Sequence, residues 1–190
     1  MKASIAEAAR SATAMRDVAI AVGANAKAAE TSVALFKDAN ARQMRAYLIV
    51  SLGGVIKQDP ATNYRFEVRM NLQNVGNTPA YKVAHVTRAD VLPFPIPTDF
   101  QFPTLSEATV SASVGPHQGF SVTGIASRIY PDDDVAEIAT GTKKRLYVYG
   151  TIRYEDVFGA SHQTNFSHAI LWLKNDTFMT LNTPVHNDSD

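Results

Sequence analysis

The chain contains no cysteine. Disulfides, thiolate nucleophiles and cysteine-ligated zinc are therefore excluded, and the fold has to rest on an apolar core alone. It also has no net charge, with 18 basic and 18 acidic residues, so no global field recruits nucleic acid, anionic lipid or an acidic substrate. Residues 1–46 hold seven Lys/Arg against four Asp/Glu, a local excess of +3 that is too mild for a nucleic-acid-binding arm. The longest apolar stretches fall short of the roughly 20 residues needed to cross a bilayer, and no basic segment followed by a leucine-rich run opens the chain.

No proline occurs before Pro60, and alanine, the best helix former, dominates that part of the chain. Alternating steps of three and four run through Ile5, Ala8, Ala12, Met15, Ala19, Val22, Ala26, Ala29, Val33, Phe36, Asn40 and Gln43, and ten of these twelve residues are apolar. Such a heptad seam predicts one helix over about residues 4–45. Gly23 is its single weak point, costing about 1 kcal/mol relative to alanine. Alanine buries little area, so three outcomes stay open: weak closure on a partner helix, packing along the chain's own β-domain, or an exposed stalk.

The pattern then changes to period two. Tyr47–Leu52 reads as a short strand that Gly53-Gly54 ends or bends. Asn63–Leu72 alternates Tyr64, Phe66, Val68, Met70 and Leu72 with polar residues, and Ala80 to about Val91 forms the next strand. Between them Asn74-Val75-Gly76-Asn77-Thr78-Pro79 is a turn, with Gly76 suited to positive φ and Asn74 and Asn77 able to bond the turn backbone.

Leu92–Pro103 places Pro93, Pro95, Pro97 and Pro103 among Phe94, Ile96, Phe100 and Phe102, which predicts an extended crossover wrapping an edge of the sheets. Strands near Thr109–Val114 and Gly119–Ile125 follow, then helical turns over Asp132–Ala139 capped by an aspartate. Leu146–Tyr154 and Thr164–Leu173 form a hairpin, and Phe178–Leu181 adds an edge. Gly150 inside its strand predicts a bulge or a close backbone approach. Trp172, Tyr147, Tyr149, Phe158 and Phe166 are read as core.

These elements divide the chain into an alanine-rich heptad helix (1–45), an antiparallel immunoglobulin-like β-sandwich (46–182) and a frayed tail (183–190). The class is mainly β with a long N-terminal α-helix.

No motif carries chemistry. His85, His117, His162, His168 and His186 show no i,i+4 or i,i+2 pairing, and His162 and His168 lie roughly 20 Å apart along one strand. Asp132-Asp133-Asp134 lacks calcium-loop spacing. No G-x-S-x-G elbow or phosphate loop is present. Neither a metal, a cofactor nor a catalytic residue is expected.

Three motifs carry a resemblance: Gln43-Met44-Arg45-Ala46-Tyr47-Leu48; Asn74-Val75-Gly76-Asn77-Thr78-Pro79-Ala80-Tyr81; and Leu146-Tyr147-Val148-Tyr149-Gly150-Thr151-Ile152-Arg153-Tyr154-Glu155-Asp156-Val157-Phe158-Gly159 with His162, Thr164 and Phe166. In this order, over about residues 43–166, the chain resembles a group of uncharacterised bacterial envelope-associated proteins. Their members place one or two membrane-spanning segments ahead of an alanine-rich helix and a β-sandwich. The resemblance implies a bacterial protein that is membrane-associated only through a segment this chain does not carry. It implies no activity.

The leading expectation is a non-enzymatic interaction module. Its helix would serve assembly or tethering through Met15, Val22, Val33 and Phe36, by self-association or with a protein partner and without nucleic acid. Phe94 and Phe100 would belong to the contact surface of the sandwich. The second expectation is a small-ligand or peptide binding module walled by residues 92–103, which a deep apolar pocket beside that loop would favour. The third is an enzyme using Asp90, Asp156 and His162, which requires those side chains to meet.

Overall fold

A computed structural model describes residues 2–105, 112–173 and 177–189. The chain divides into two compact units, Met1–Gln43 and Met44–Asp190. The first is helix α1, Lys2–Met44, which runs unbroken through Gly23. Thr31 and Ser32 donate their hydroxyls back to the carbonyls of Lys27 and Ala28, and Asp38 pairs with Arg42 one turn on. Such local bonds add only tenths of a kcal/mol each, so the helix owes its continuity to alanine. Met15, Val22, Val33 and Phe36 are all more than half exposed. Ile20 and Leu35, also exposed, fall off the seam, so apolar residues are not confined to a single stripe.

The second unit is mainly β, built from two antiparallel sheets. The smaller has the order β1-β2-β5, from Leu48–Ile56, Glu67–Asn74 and Gly119–Ile125. The larger has the order β4-β3-β6-β7-β8, from Ala112–Val114, Ala80–Pro93, Lys144–Glu155, Ser161–Trp172 and Phe178–Asn182. Of the strand expected near Thr109–Val114, residues 109–111 lie outside the described residues. Gly53-Gly54 does not end β1 but sits at a bulge, where the register against β2 shifts between Leu52 and Gly54.

The two sheets share one apolar core. Phe66, Val68, Met70 and Leu72, with Leu48 and Val122, face Leu146, Val148, Ile152, Phe166 and Ile170. Each such side chain contributes about 2 kcal/mol on leaving water. Helix α2, Asp132–Thr140, adds Ile138 to this core. Its N-cap is Pro131, with no side-chain cap bond, because the three aspartates fall inside the first turn rather than ahead of it. There their charge still complements the helix dipole.

β6 is buried on both faces. Its even-numbered residues enter the shared core, whereas Tyr147 and Tyr149 join Ala169, Leu92, Ile96, Phe100 and Phe102 in a second cluster on the outer face of the larger sheet. The proline-rich crossover therefore lies across that face instead of wrapping an edge. Apolar residues on both sides of a strand demand a cover on both sides. Phe100, Phe102 and Tyr149 meet pairwise edge to face at 5.0–5.7 Å, an arrangement that adds to their buried area.

The closing residues, expected to fray, are held against the same sheet. Asn187 Nδ2 donates to the carbonyls of Ser167 and Thr183, and its Oδ1 accepts from Ser167 N–H. His186 stacks on Phe102 at 4.1 Å, and Asn165 N–H donates to the Asp188 carbonyl.

Asn74 organises the turn after β2. It is fully buried; its Oδ1 accepts from the Tyr47 and Gly76 amides, and its Nδ2 donates to the Thr78 and Val114 carbonyls. Gly76 does not adopt positive φ. It is required for space, since a Cβ there would stand 2.7 Å from Ala46 Cα and Tyr47 N. Gly150 resolves its alternatives in favour of close approach: its register is regular, and a Cβ would meet the Val86 carbonyl and the Phe166 ring.

Candidate functional site

The outer face of the larger sheet carries an apolar pocket of about 330 Å³, at the small end of the range for ligand sites. Its floor is a cross-strand row, Tyr147 on β6, Ala169 opposite it on β7 and Leu181 opposite Ala169 on β8. One wall is Phe94-Pro95-Ile96 of the crossover, the other Asn182 to Val185 at the start of the terminal segment. Both walls stand where they do because the sheet's outer face needs covering, and neither covers this part of it completely. Two other depressions, beside Leu48–Val50 and beside Phe102–Leu105, are more open and more polar.

Of the polar residues that line the pocket, Arg145, Tyr147, Asn182 and Thr183, the first two lie two residues apart and so on one face of β6. Arg145 is fixed in place: Nε donates to the Gly141 carbonyl at 2.8 Å, and the guanidinium lies over the Phe94 ring at 3.3 Å. The Gly141 carbonyl is presented by the left-handed C-cap of α2, φ 64°, a conformation that glycine adopts without strain. Tyr147 is 1% exposed, and its buried hydroxyl has no hydrogen-bond partner among the described residues. Burial pushes its pKa up, opposed by the nearby Arg145 charge, so the phenol is a neutral donor at physiological pH.

Of the residues singled out from the sequence, Phe94 lines this pocket, whereas Phe100 packs into the aromatic cluster beside Tyr149. Met15, Val22, Val33 and Phe36 belong to the helical unit. Arg145, Tyr147 and the 182–185 wall escaped sequence reasoning. Tyr147 reads as plain core and the tail as frayed, although unbroken apolarity at Leu146-Tyr147-Val148-Tyr149 signals a strand covered on both faces. Phe158, read as core, is exposed at the β6–β7 hairpin tip.

Asp90, Asp156 and His162 do not form one site. Asp90 lies opposite Tyr147, while Asp156 follows the far end of β6, roughly 25–30 Å away at about 3.3 Å per residue. Asp90 is a structural acceptor: Oδ1 takes the Ser127 amide and hydroxyl and the Tyr130 hydroxyl, and Oδ2 takes the Tyr149 hydroxyl. Burial, reinforced by Asp90, raises the Tyr149 pKa strongly. No group of three potential metal ligands occurs among the described residues, and no described helix is long and apolar enough to cross a membrane.

Asp156 and His162 tie the hairpin. Asp156 Oδ1 accepts from the Phe158 and Ala160 amides, and its Oδ2 lies 2.8 Å from His162 Nε2. Desolvation by itself would raise the Asp156 pKa, but the His162 and backbone hydrogen bonds together hold it below the ordinary carboxylate value. A depressed carboxylate contributes stability above its unfolded pKa, about 4, and loses it as pH falls through the folded value. Burial lowers the pKa of His85, His168 and His186, so these favour folding above about pH 6.5 and lose that contribution as pH falls below it.

Melting temperature measured against pH is therefore expected to fall in two stages, below about 6.5 and again below about 4. Asp156→Asn should lower the neutral-pH value and flatten the second stage alone. A curve flat from pH 7 to 3 would contradict this assignment.

Comparison with family models, with curated proteins and with solved structures finds no match.

Proposed function

We propose that this protein is a non-enzymatic binding module whose β-domain holds a small, largely apolar ligand in the pocket beside the proline-rich crossover. The observation that carries this reading is the pocket itself. A half-enclosed, largely apolar cavity with a few convergent polar side chains is the usual form of a ligand site. The immunoglobulin-like arrangement of the sandwich belongs to the same reading, supported by two antiparallel sheets closing on one core. So does the kinship to bacterial envelope-associated proteins, which the three sequence motifs support.

Titration of the full-length protein with N-phenyl-1-naphthylamine, an uncharged apolar fluorophore, tests the reading. Enhanced, saturable emission is expected, and it should be lost in Leu181→Trp, which fills the pocket from an exposed position on β8. Absence of binding, or binding unchanged in that variant, would count against it.

A second reading concerns α1, a single helix of 43 residues with a heptad seam, about 65 Å long at 1.5 Å per residue. Here the helix mediates self-association or tethering through Met15, Val22, Val33 and Phe36. Light scattering should then give a mass above 20.6 kDa that Val22→Glu together with Val33→Glu reduces to the monomer's. A monomeric wild type would contradict self-association.

A further inference from the structure

Arg145 and Tyr147 bring hydrogen-bonding capacity into the apolar pocket that the described residues do not use. A buried hydroxyl without a partner is uncommon in a native fold and calls for a reason. Tyr147 has such a hydroxyl, buried to 1% exposure, on a residue that forms the pocket floor. Arg145 has five N–H donors. The Nε donor goes to Gly141, leaving the two Nη groups, and no carboxylate of the described residues forms an ion pair with it.

With Nε engaged, side-on chelation through Nε and Nη is closed and end-on chelation through the Nη pair stays open. That edge matches a planar group with two oxygens. One guanidinium balances one negative charge. A phosphate monoester would bring a second charge into apolar surroundings with nothing to meet it, whereas a carboxylate brings one. Asn182 and Thr183 stand on one wall, and the rest of the lining is hydrocarbon from Phe94-Pro95-Ile96, Ala169, Leu181 and Pro184-Val185, which fits an aliphatic or aromatic body.

We propose that the pocket takes a small monocarboxylic acid with an apolar body, its carboxylate received by the Arg145 guanidinium and the Tyr147 hydroxyl. This rests on the binding reading above and adds the class of ligand. The phenol, kept neutral by burial, donates a hydrogen bond to one carboxylate oxygen while the Nη groups hold both oxygens. Apolar contact supplies affinity, and the polar pair distinguishes the acid from its neutral counterpart.

The test is calorimetric titration of the full-length protein at pH 7.5 with octanoate and octan-1-ol, and with N-acetylvalylleucine and its amide. At least one acid should bind about tenfold or more tightly than its neutral counterpart, the value of a charge-assisted hydrogen bond. Which acid does so tells whether the carboxylate arrives on a hydrocarbon chain or on a peptide end. Arg145→Gln should erase the acid's preference over its neutral counterpart, and Tyr147→Phe, close to isosteric, should weaken the acid severalfold.

If octan-1-ol binds in a Leu181-dependent way but neither acid outbinds its neutral counterpart, the carboxylate assignment is wrong and the pocket reading survives. If none of the four compounds binds, both fail. An acid preference unchanged in both variants would overturn the assignment to Arg145 and Tyr147. The wild-type comparison needs no variant, so its result stands whether or not Arg145→Gln folds.

Discussion

Asn74→Ala is expected to lower the melting temperature of the β-domain by about 10 °C. The substitution leaves two amides, of Tyr47 and Gly76, and two carbonyls, of Thr78 and Val114, without the partner that satisfies them. A buried polar group left unpaired costs about 1–3 kcal/mol, and water entering the vacated space relieves part of that, so about 4 kcal/mol in all is a reasonable scale. At about 2–4 °C per kcal/mol for a domain of this size, the shift is roughly 8–16 °C.

Asn74→Asp is the sharper variant, because it keeps the shape and reverses one half of the chemistry. Its second oxygen would face two carbonyl oxygens, and a negative charge would be buried without a cation. Its melting temperature at pH 7 is expected to be no higher than that of Asn74→Ala, with partial recovery at acidic pH as the carboxyl takes up a proton. Thermal unfolding followed by near-ultraviolet circular dichroism reports the aromatic-rich β-domain apart from α1. A loss of only 1–2 °C for either variant would show that the Asn74 bonds do not hold the turn.

Gly150→Ala is the second large effect, a loss of about 3 kcal/mol, at the upper end of what overpacking a core costs. The added methyl would stand 2.8 Å from the Phe166 ring and against the Val86 carbonyl. The ring can turn aside but the carbonyl, on the adjacent strand of the same sheet, cannot. The Gly150 carbonyl also accepts from His186 Nε2 at 3.0 Å, so a shift of β6 would loosen the terminal segment and with it one wall of the pocket. Gly150→Val should fail to give soluble protein. Pairing Gly150→Ala with Phe166→Leu should show favourable coupling of about 1 kcal/mol in a double-mutant cycle. Strict additivity would place the strain on the Val86 side alone.

Local pattern was enough to read much of the fold. The alternation expected over Asn63–Leu72 matches burial from Phe66 onward, although β2 begins only at Glu67 and Tyr64 is exposed, and β3, β6, β7 and β8 lie close to their sequence assignments because each carries an apolar face between turn residues. Alanine content was enough for α1. The misread features depend on what the chain meets in three dimensions. Gly76 and Gly150 announce a constraint, but sequence does not distinguish positive φ or a bulge from a neighbouring backbone pressed close. Gly53-Gly54 reads equally as an end or a bend of β1 and is a bulge, because Ile56 still finds Glu67 across the ladder.

The pocket was half legible. Phe94 and the proline-rich crossover mark one wall. The other wall and the polar pair were hidden, since a polar nine-residue end such as Asn182–Asp190 looks unstructured until Asn187 is seen pairing with Ser167, and Tyr147 looks like any core aromatic until its hydroxyl is traced and found without a partner.

The central claim is that this outer-face pocket is the protein's binding site, and the most direct measurement is methyl NMR of the full-length protein titrated with octan-1-ol. The account predicts saturable shifts concentrated at Ile96, Ala169, Leu181 and Val185. Shifts confined to residues of α1 or of the inter-sheet core, or no saturable shifts at all, would contradict it.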